Sequence, residues 1–274
     1  MREKSLVKSN KLPKIAVILP NYNPGPEFEV TLQSLRDQTV PFTLFLVDDA
    51  SPRKPDYAPY LKDFNHVLIE LKQNVGVGLV RNAALERILA EGYDYVAPID
   101  CGDVAKPERL RKLSEYLAAH PETGIVGSSV EMVFEGGRSF VLTLPTNDAD
   151  ARRMMWYTMP VSHPAIMFRS DVFRKVGLYA KAYETSEDFD LVRRTSDAGM
   201  GVANLQEVLC IKHENRNSLS WKKRRLQLKG RLFILWRHRN LANPHCIVGL
   251  LKTLVLLATP AKLTRAIKLR LRGA

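Results

Sequence analysis

Over roughly its first 120 residues the chain repeats one unit. An apolar, β-branched run gives way to a cluster of Asn, Asp, Gly or Pro, and then to apolar residues at helical spacing. Lys14–Pro20 (KIAVILP), Thr43–Val47, Val67–Leu71 and Tyr95–Ile99 are runs of the kind found in strands buried on both faces. Helical spacing follows over Glu27–Gln38, Gly78–Glu91 and Glu108–Ala119, the last introduced by Pro107. Such alternation predicts an α/β fold, Rossmann-like, with a mostly parallel sheet and helices on both faces. Ligands of such sheets bind beyond the carboxyl ends of the strands. The polar residues Asn21–Asn23, Asp48-Asp49 and Asp100–Asp103 fall at those ends. Any one of them could simply cap a helix; three such loops from adjacent strands can build a single acidic crevice.

Beyond about residue 125 the pattern changes, which divides the body into a nucleotide-binding half (14–124) and an acceptor half (125–220). Ile125–Phe134 and Ser139–Leu144, joined by Glu135-Gly-Gly-Arg138, read as a hairpin. Helices are expected at Ala149–Tyr157, Asp171–Val176 and Glu187–Ala198, and a strand at Ala165–Phe168. In the Glu187 helix Phe189, Leu191 and Val192 should face inward and Arg193 and Arg194 outward.

Charge is distributed unevenly. The net charge is +12, yet residues 211–274 carry sixteen Lys or Arg against one acid, Glu214, leaving residues 1–210 at −3. The expected architecture is therefore an extension (1–13), the catalytic body (14–220) and a basic, partly apolar helical tail (221–274). Cys246–Ala261 is the most apolar stretch, but Lys252 interrupts it and Pro260 closes it, short of the roughly 20 apolar residues a spanning helix needs. Lys and Arg interleaved with Trp, Phe and Leu suit a helix lying on an anionic bilayer. Helices packed on the body with solvated charges, and a nucleic-acid-binding patch, are the weaker readings. Three scattered cysteines make no disulfide framework or zinc cluster. The charged N-terminus has no apolar signal region. Together these point to the cytoplasmic side of a membrane.

The succession Val17-Ile-Leu-Pro-Asn-Tyr-Asn23, Val47-Asp-Asp-Ala-Ser51, Asn74-Val-Gly76 with Arg81-Asn82, Ile99-Asp-Cys-Gly-Asp103 and Ser186-Glu-Asp-Phe-Asp-Leu191 resembles the family 2 glycosyltransferases of the GT-A fold. The resemblance covers about residues 14–220. It implies inverting transfer from a nucleotide-diphosphate sugar, UDP first and dTDP next, assisted by Mg²⁺ or Mn²⁺. The acceptor would be a saccharide or a lipid-linked acceptor of cell-surface polysaccharide synthesis. Asp188 is then the base that deprotonates the acceptor, with Glu187 beside it. Pro20, Tyr22, Asn23, Asp48, Asp49, Arg81 and Asp100 would hold the nucleotide, Tyr22 by stacking and Asp49 by accepting an imide N–H. Asp103 and His213 would be the metal ligands, and His163 would face a donor or acceptor sugar. Gly102 stands where the family usually has a metal-ligating acid, so the protein's share of any metal site is reduced. That departure keeps open a protein that binds nucleotide sugars without turning them over. A nucleotidyltransferase fits less well, because Asn-Tyr-Asn stands where such enzymes carry a Gly-rich loop.

Overall fold

The computed structural model describes residues 12–214 and 223–260. The extension up to residue 11, Arg216, Trp221, Lys222 and the basic positions from Lys262 to Arg272 lie outside the described residues. The first 120 residues form β1 (Ile15–Asn21), α1 (Glu27–Arg36), β2 (Thr43–Asp48), α2 (Ala58–Leu61), β3 (His66–Glu70), α3 (Val77–Ala90), β4 (Tyr95–Pro98), the short β5 (Val104–Ala105) and α4 (Arg109–Ala119). The long strand β6 (Thr123–Phe134) turns back into β7 (Ser139–Leu142), followed by α5 (Asp148–Met155). A 3-10 turn at His163–Ala165, β8 (Met167–Arg169), α6 (Ser170–Val176), α7 (Glu187–Asp197) and β9 (Gly201–Glu214) complete the body. Two helices end the described chain, α8 (Arg224–Arg237) and α9 (Pro244–Ala258).

The strands lie in one sheet in the order β3-β2-β1-β4-β8-β6-β9-β5, with β7 added beside β6. From β3 to β4 every pairing is parallel. Past β4 the sheet is mixed: β8 runs antiparallel to both its neighbours, and β6 pairs parallel with β9. Alternation along β1 explains the two cores. Ala16 and Ile18 point to one face, where α3, α6 and α7 pack through Val80, Leu85, Val172 and Leu191. Ile15, Val17 and Leu19 point to the other, against α1 and α4 through Phe28, Leu32, Leu113 and Leu117. Burying a Leu or Val side chain fully contributes roughly 1.5–3 kcal/mol, so these two faces dominate the fold's stability.

Three expectations need correction. The Val67–Leu71 run is an edge strand, half-exposed in alternation, because β3 terminates the sheet. A fourteen-residue strand, β9, stands where no strand was expected, since Asn204, Gln206 and Glu207 break its apolar run. Arg193 and Arg194 do not simply face solvent. Arg193 lies 4.3 Å over the Trp156 ring, and Arg194 donates to the carbonyls of Val176, Gly177 and Leu178 and to Asp190.

Candidate active site

The loops after β1 and β2 are tied to each other. Asn21 Nδ2 donates to the Tyr57 hydroxyl, which donates to Asp48 Oδ2 at 2.5 Å; Asp48 Oδ1 accepts from the Ser51 amide. The Asn23 amide donates to Ser51 Oγ, and Asn23 Oδ1 accepts from the Arg53 amide. Asn23 and Ala50 hold left-handed φ of 49° and 58° at the crests of the two loops. Such residues persist where the surroundings over-determine them, and they concentrate at functional sites. Asp48, expected among the nucleotide contacts, is 1% exposed and gives both oxygens to its own loop, so its role here is to shape that loop. Asp49 lies beside it and accepts from the amides of Val75 and Gly76, which joins the β2 loop to the start of α3. Tyr22 is half-exposed at the rim, with Pro20 partly buried behind it.

Arg81 projects from the first turns of α3 and is 3% exposed, which excludes a solvated surface arginine. Its Nη2 donates to Asp100 Oδ1 at 2.7 Å and its Nη1 to Glu187 Oε1 at 3.2 Å. The guanidinium therefore joins the β4 loop to the first residue of α7. Burial works against ionisation of Asp100, but the adjacent guanidinium outweighs it and holds the carboxyl down at about 2. Glu187 moves the other way, up to about 7, because it is buried and has the Asp188 carboxylate beside it. Gly78 makes room for it: a Cβ there would sit 3.0 Å from Glu187 Cγ. Asp188 is partly buried, accepts from the Phe189 amide, and burial raises its proton affinity as well. His163 Nε2 pairs with the Tyr179 hydroxyl at 2.8 Å. Burial, reinforced by the Arg81 charge, pushes the imidazole well below its ordinary value, so it is neutral at pH 7.

Asp103 is 4% exposed; Oδ1 accepts from the His213 amide and Oδ2 has no partner. Burial, with the Asp100 charge next, pushes its carboxyl up to about 8. Gly102 adopts φ +96°, a conformation side-chain-bearing residues rarely take, so the turn itself favours glycine over an acid. Its carbonyl accepts from His213 Nδ1, which leaves Nε2 as the free acceptor of that ring. The Cys101 thiol is raised to about 12, chiefly by burial, and is no nucleophile. Asp103 and His213 thus offer one unpartnered oxygen and one free ring nitrogen. Among the described residues no group of three or more His, Cys, Asp or Glu could hold a metal ion. The donor set falls short of a protein-built metal site.

Four further residues organise the site without a sequence signal of their own. Tyr57 links Asn21 to Asp48. Tyr179 shares hydrogen bonds with His163 and, through its backbone, with Asn82. Arg109, fully buried, donates from Nη2 to the carbonyls of Pro98, Pro164 and Ile166, and so fixes the His163 turn to the end of β4. Lys212, on β9, is the fourth. In sequence Arg109 and Lys212 look like ordinary solvated cations.

A sheet that is parallel through its first four strands, with an acidic crevice at their carboxyl ends and a buried Glu-Asp pair facing it across one arginine, defines a nucleotide-binding α/β protein of the GT-A type. The family model "Glycosyl transferase family 2" matches residues 16–177, and the chain belongs to that family. It is 33% identical over 143 residues to the amylovoran biosynthesis glycosyltransferase AmsE of Erwinia amylovora; the match covers 52% of this chain and 52% of the relative. It is 26% identical over 218 residues to a UDP-Gal:α-D-GlcNAc-diphosphoundecaprenol β-1,3-galactosyltransferase of Escherichia coli, covering 73% and 74%. Among solved structures it resembles S. aureus TarS 1–349 in complex with UDP-GlcNAc, at TM-score 0.65 and 18% identity over 88% of this chain and 71% of that one. It also resembles the mannosyltransferase PcManGT of Pyrobaculum calidifontis, in complex with GDP-Man and Mn²⁺, at TM-score 0.65 and 19% identity over 97% and 82%. At these identities the structural likeness speaks for the fold alone.

Proposed function

We propose that the protein is an inverting glycosyltransferase that takes a sugar from a nucleotide-diphosphate donor, a UDP or dTDP sugar, to a saccharide or lipid-linked acceptor in cell-surface polysaccharide synthesis. The observation that carries this reading is the Asp100–Arg81–Glu187 bridge, which puts the acid pair at the start of α7 across the crevice from the strand-end loops. The nucleotide would lie against Tyr22, Asn23 and Asp49, with the ribose near Asp100. Asp188 would take the proton from the acceptor hydroxyl as that oxygen attacks the anomeric carbon, opposite the departing nucleoside diphosphate. Its raised proton affinity suits a base working near neutral pH. Neutral, buried His163 would contact a sugar hydroxyl. Mg²⁺ or Mn²⁺, held from Asp103 and His213, would supply positive charge to the diphosphate; two protein ligands serve when donor oxygens complete the shell. The named donors and acceptor of the E. coli relative and the UDP-GlcNAc bound to TarS support this choice.

The acceptor side favours a membrane partner. Helices α8 and α9 form a hairpin that leaves Phe233, Trp236, Leu241, Leu251 and Leu254 about half-exposed around a groove of about 540 Å³. No described helix is long and apolar enough to cross a membrane. An apolar face among basic residues fits the surface of an anionic bilayer, on the inner face in this reading.

The direct test is a calorimetry and thermal-shift panel of UDP, dTDP, GDP and CDP, each with and without Mn²⁺. Saturable binding of one nucleotide, lost in Asp49→Ala, is the expected result. A folded protein that binds none of the four overturns the reading.

A further inference from the structure

The departing diphosphate needs positive charge, and the loop nearest to it has glycine at position 102. The end of β9 is clamped to that loop from both sides of Lys212. Ile211 pairs with Val104 of β5, while the His213 amide donates to Asp103 Oδ1 and its ring to the Gly102 carbonyl. Side chains alternate along a strand, so Lys212 shares a face with Cys210. Cys210 packs against Ala165 and lies 3.8 Å from the Pro164 carbonyl, so that face looks toward the His163 turn and the crevice behind it. Lys212 is partly buried there, yet among the described residues its ammonium has no hydrogen-bond or ion-pair partner. Burial opposes its charge; the fields of Asp103, Asp100, Glu214 and Asp188, reaching it from the β4 loop, from β9 itself and from α7, more than restore it. A cation kept charged in a partly buried crevice, without a committed partner, is arranged to receive an anion.

We propose that Lys212 binds the donor's diphosphate, supplying from the protein the positive charge that the residue at position 102 does not recruit. The inference rests on the donor-site reading above. It makes the lysine a point charge on phosphate oxygens, a role lysine fills well because its three donors rotate freely. Arg81, already engaged by two carboxylates, and Arg109, engaged by three carbonyls, are not free to take it. The diphosphate would displace the weak, longer-range attraction of Asp100 and Asp103 and gain a direct charge-assisted contact.

The test is calorimetry in EDTA with UDP against uridine, with the matched thymidine, guanosine and cytidine pairs alongside, on wild type, Lys212→Met and Lys212→Arg. Lys212→Met should weaken the diphosphate about 10- to 100-fold and leave the nucleoside within about twofold, a loss of 1.4 kcal/mol per tenfold. Lys212→Arg should restore most of the affinity. Undiminished diphosphate affinity in Lys212→Met overturns the inference while leaving the donor site intact. Equal loss of nucleoside and diphosphate overturns it too, since the lysine would then only support the pocket's shape. A wild type that binds neither nucleoside nor diphosphate overturns the donor-site reading itself.

Discussion

At the scale of single residues, what distinguishes this site is how its acids are separated by environment. Asp100, Asp103, Glu187 and Asp188 share one crevice, but Arg81 reaches only Asp100 and Glu187 directly. Asp100 therefore stays ionised far below neutrality, whereas the buried Glu187–Asp188 pair retains a proton to about pH 7. A general base works only when deprotonated, so transfer should fall as the pH drops below about 7. The pair titrates as a unit, and the limb belongs to both residues. Glu187→Gln removes the negative neighbour and leaves the Arg81 charge facing Asp188. The acid limb of kcat/KM should then move to lower pH, a shift that a pH–rate profile of the variant would read directly. An unmoved limb would mean that the proton at issue sits elsewhere.

At the scale of elements, the terminal hairpin is fitted to the turn that carries the acids. Ser186, at φ 75°, immediately precedes Glu187, and its hydroxyl donates to the Gln227 carbonyl of α8. Gly230 comes so close that a Cβ would lie 3.1 Å from the Thr185 carbonyl. Helix α9 is seated still more tightly, since a Cβ at Gly249 would fall 2.2 Å from the backbone oxygen of Trp156. A backbone oxygen cannot swing aside as a side-chain tip can. Gly249→Ala should thus lever α9 off Trp156, Ile234 and Leu235 and cost about 1–3 kcal/mol, typical of overpacking. Urea unfolding would show this as a lower midpoint at unchanged slope. The same substitution at Gly92, around which there is open space, would bring only local backbone strain.

On the scale of the whole molecule, the chain joins a near-neutral body to a basic, apolar end. The hairpin's inner face is fully buried through Ile234, Leu235 and Cys246, while its outer face carries Phe233 and Trp236, both more than half exposed. One helix pair thus touches both the catalytic turn and the outside. Sedimentation with anionic vesicles should show binding that weakens as salt is raised, because the attraction is partly electrostatic. Phe233→Glu with Trp236→Glu should reduce it at least tenfold, as burial of each such ring contributes roughly 1.5–3 kcal/mol. Nucleotide binding should persist in that variant. Equal retention on neutral and anionic vesicles would count against the charge component, and no retention on either against the membrane surface.

The sequence by itself determined the strand–helix alternation, and hence the layered sheet, because apolar periodicity is local and records which face of each element is buried. It also placed the polar residues at strand ends, since Asn, Asp and Gly announce a turn wherever the chain later goes. Only the tertiary structure decided what those residues do. Asp48 and Asp49 are adjacent and chemically identical, yet one is consumed by Tyr57 and Ser51 and the other holds Val75 and Gly76 at the start of the next helix. Arg81 and Glu187 lie 106 positions apart, and no local signal announces their contact. The edge position of β3, the long polar-interrupted β9 and the burial of Arg109 were hidden for the same reason. Whether a charge is solvated, bridged or left to await a ligand depends on partners distant in the chain, and long-range packing brings them together.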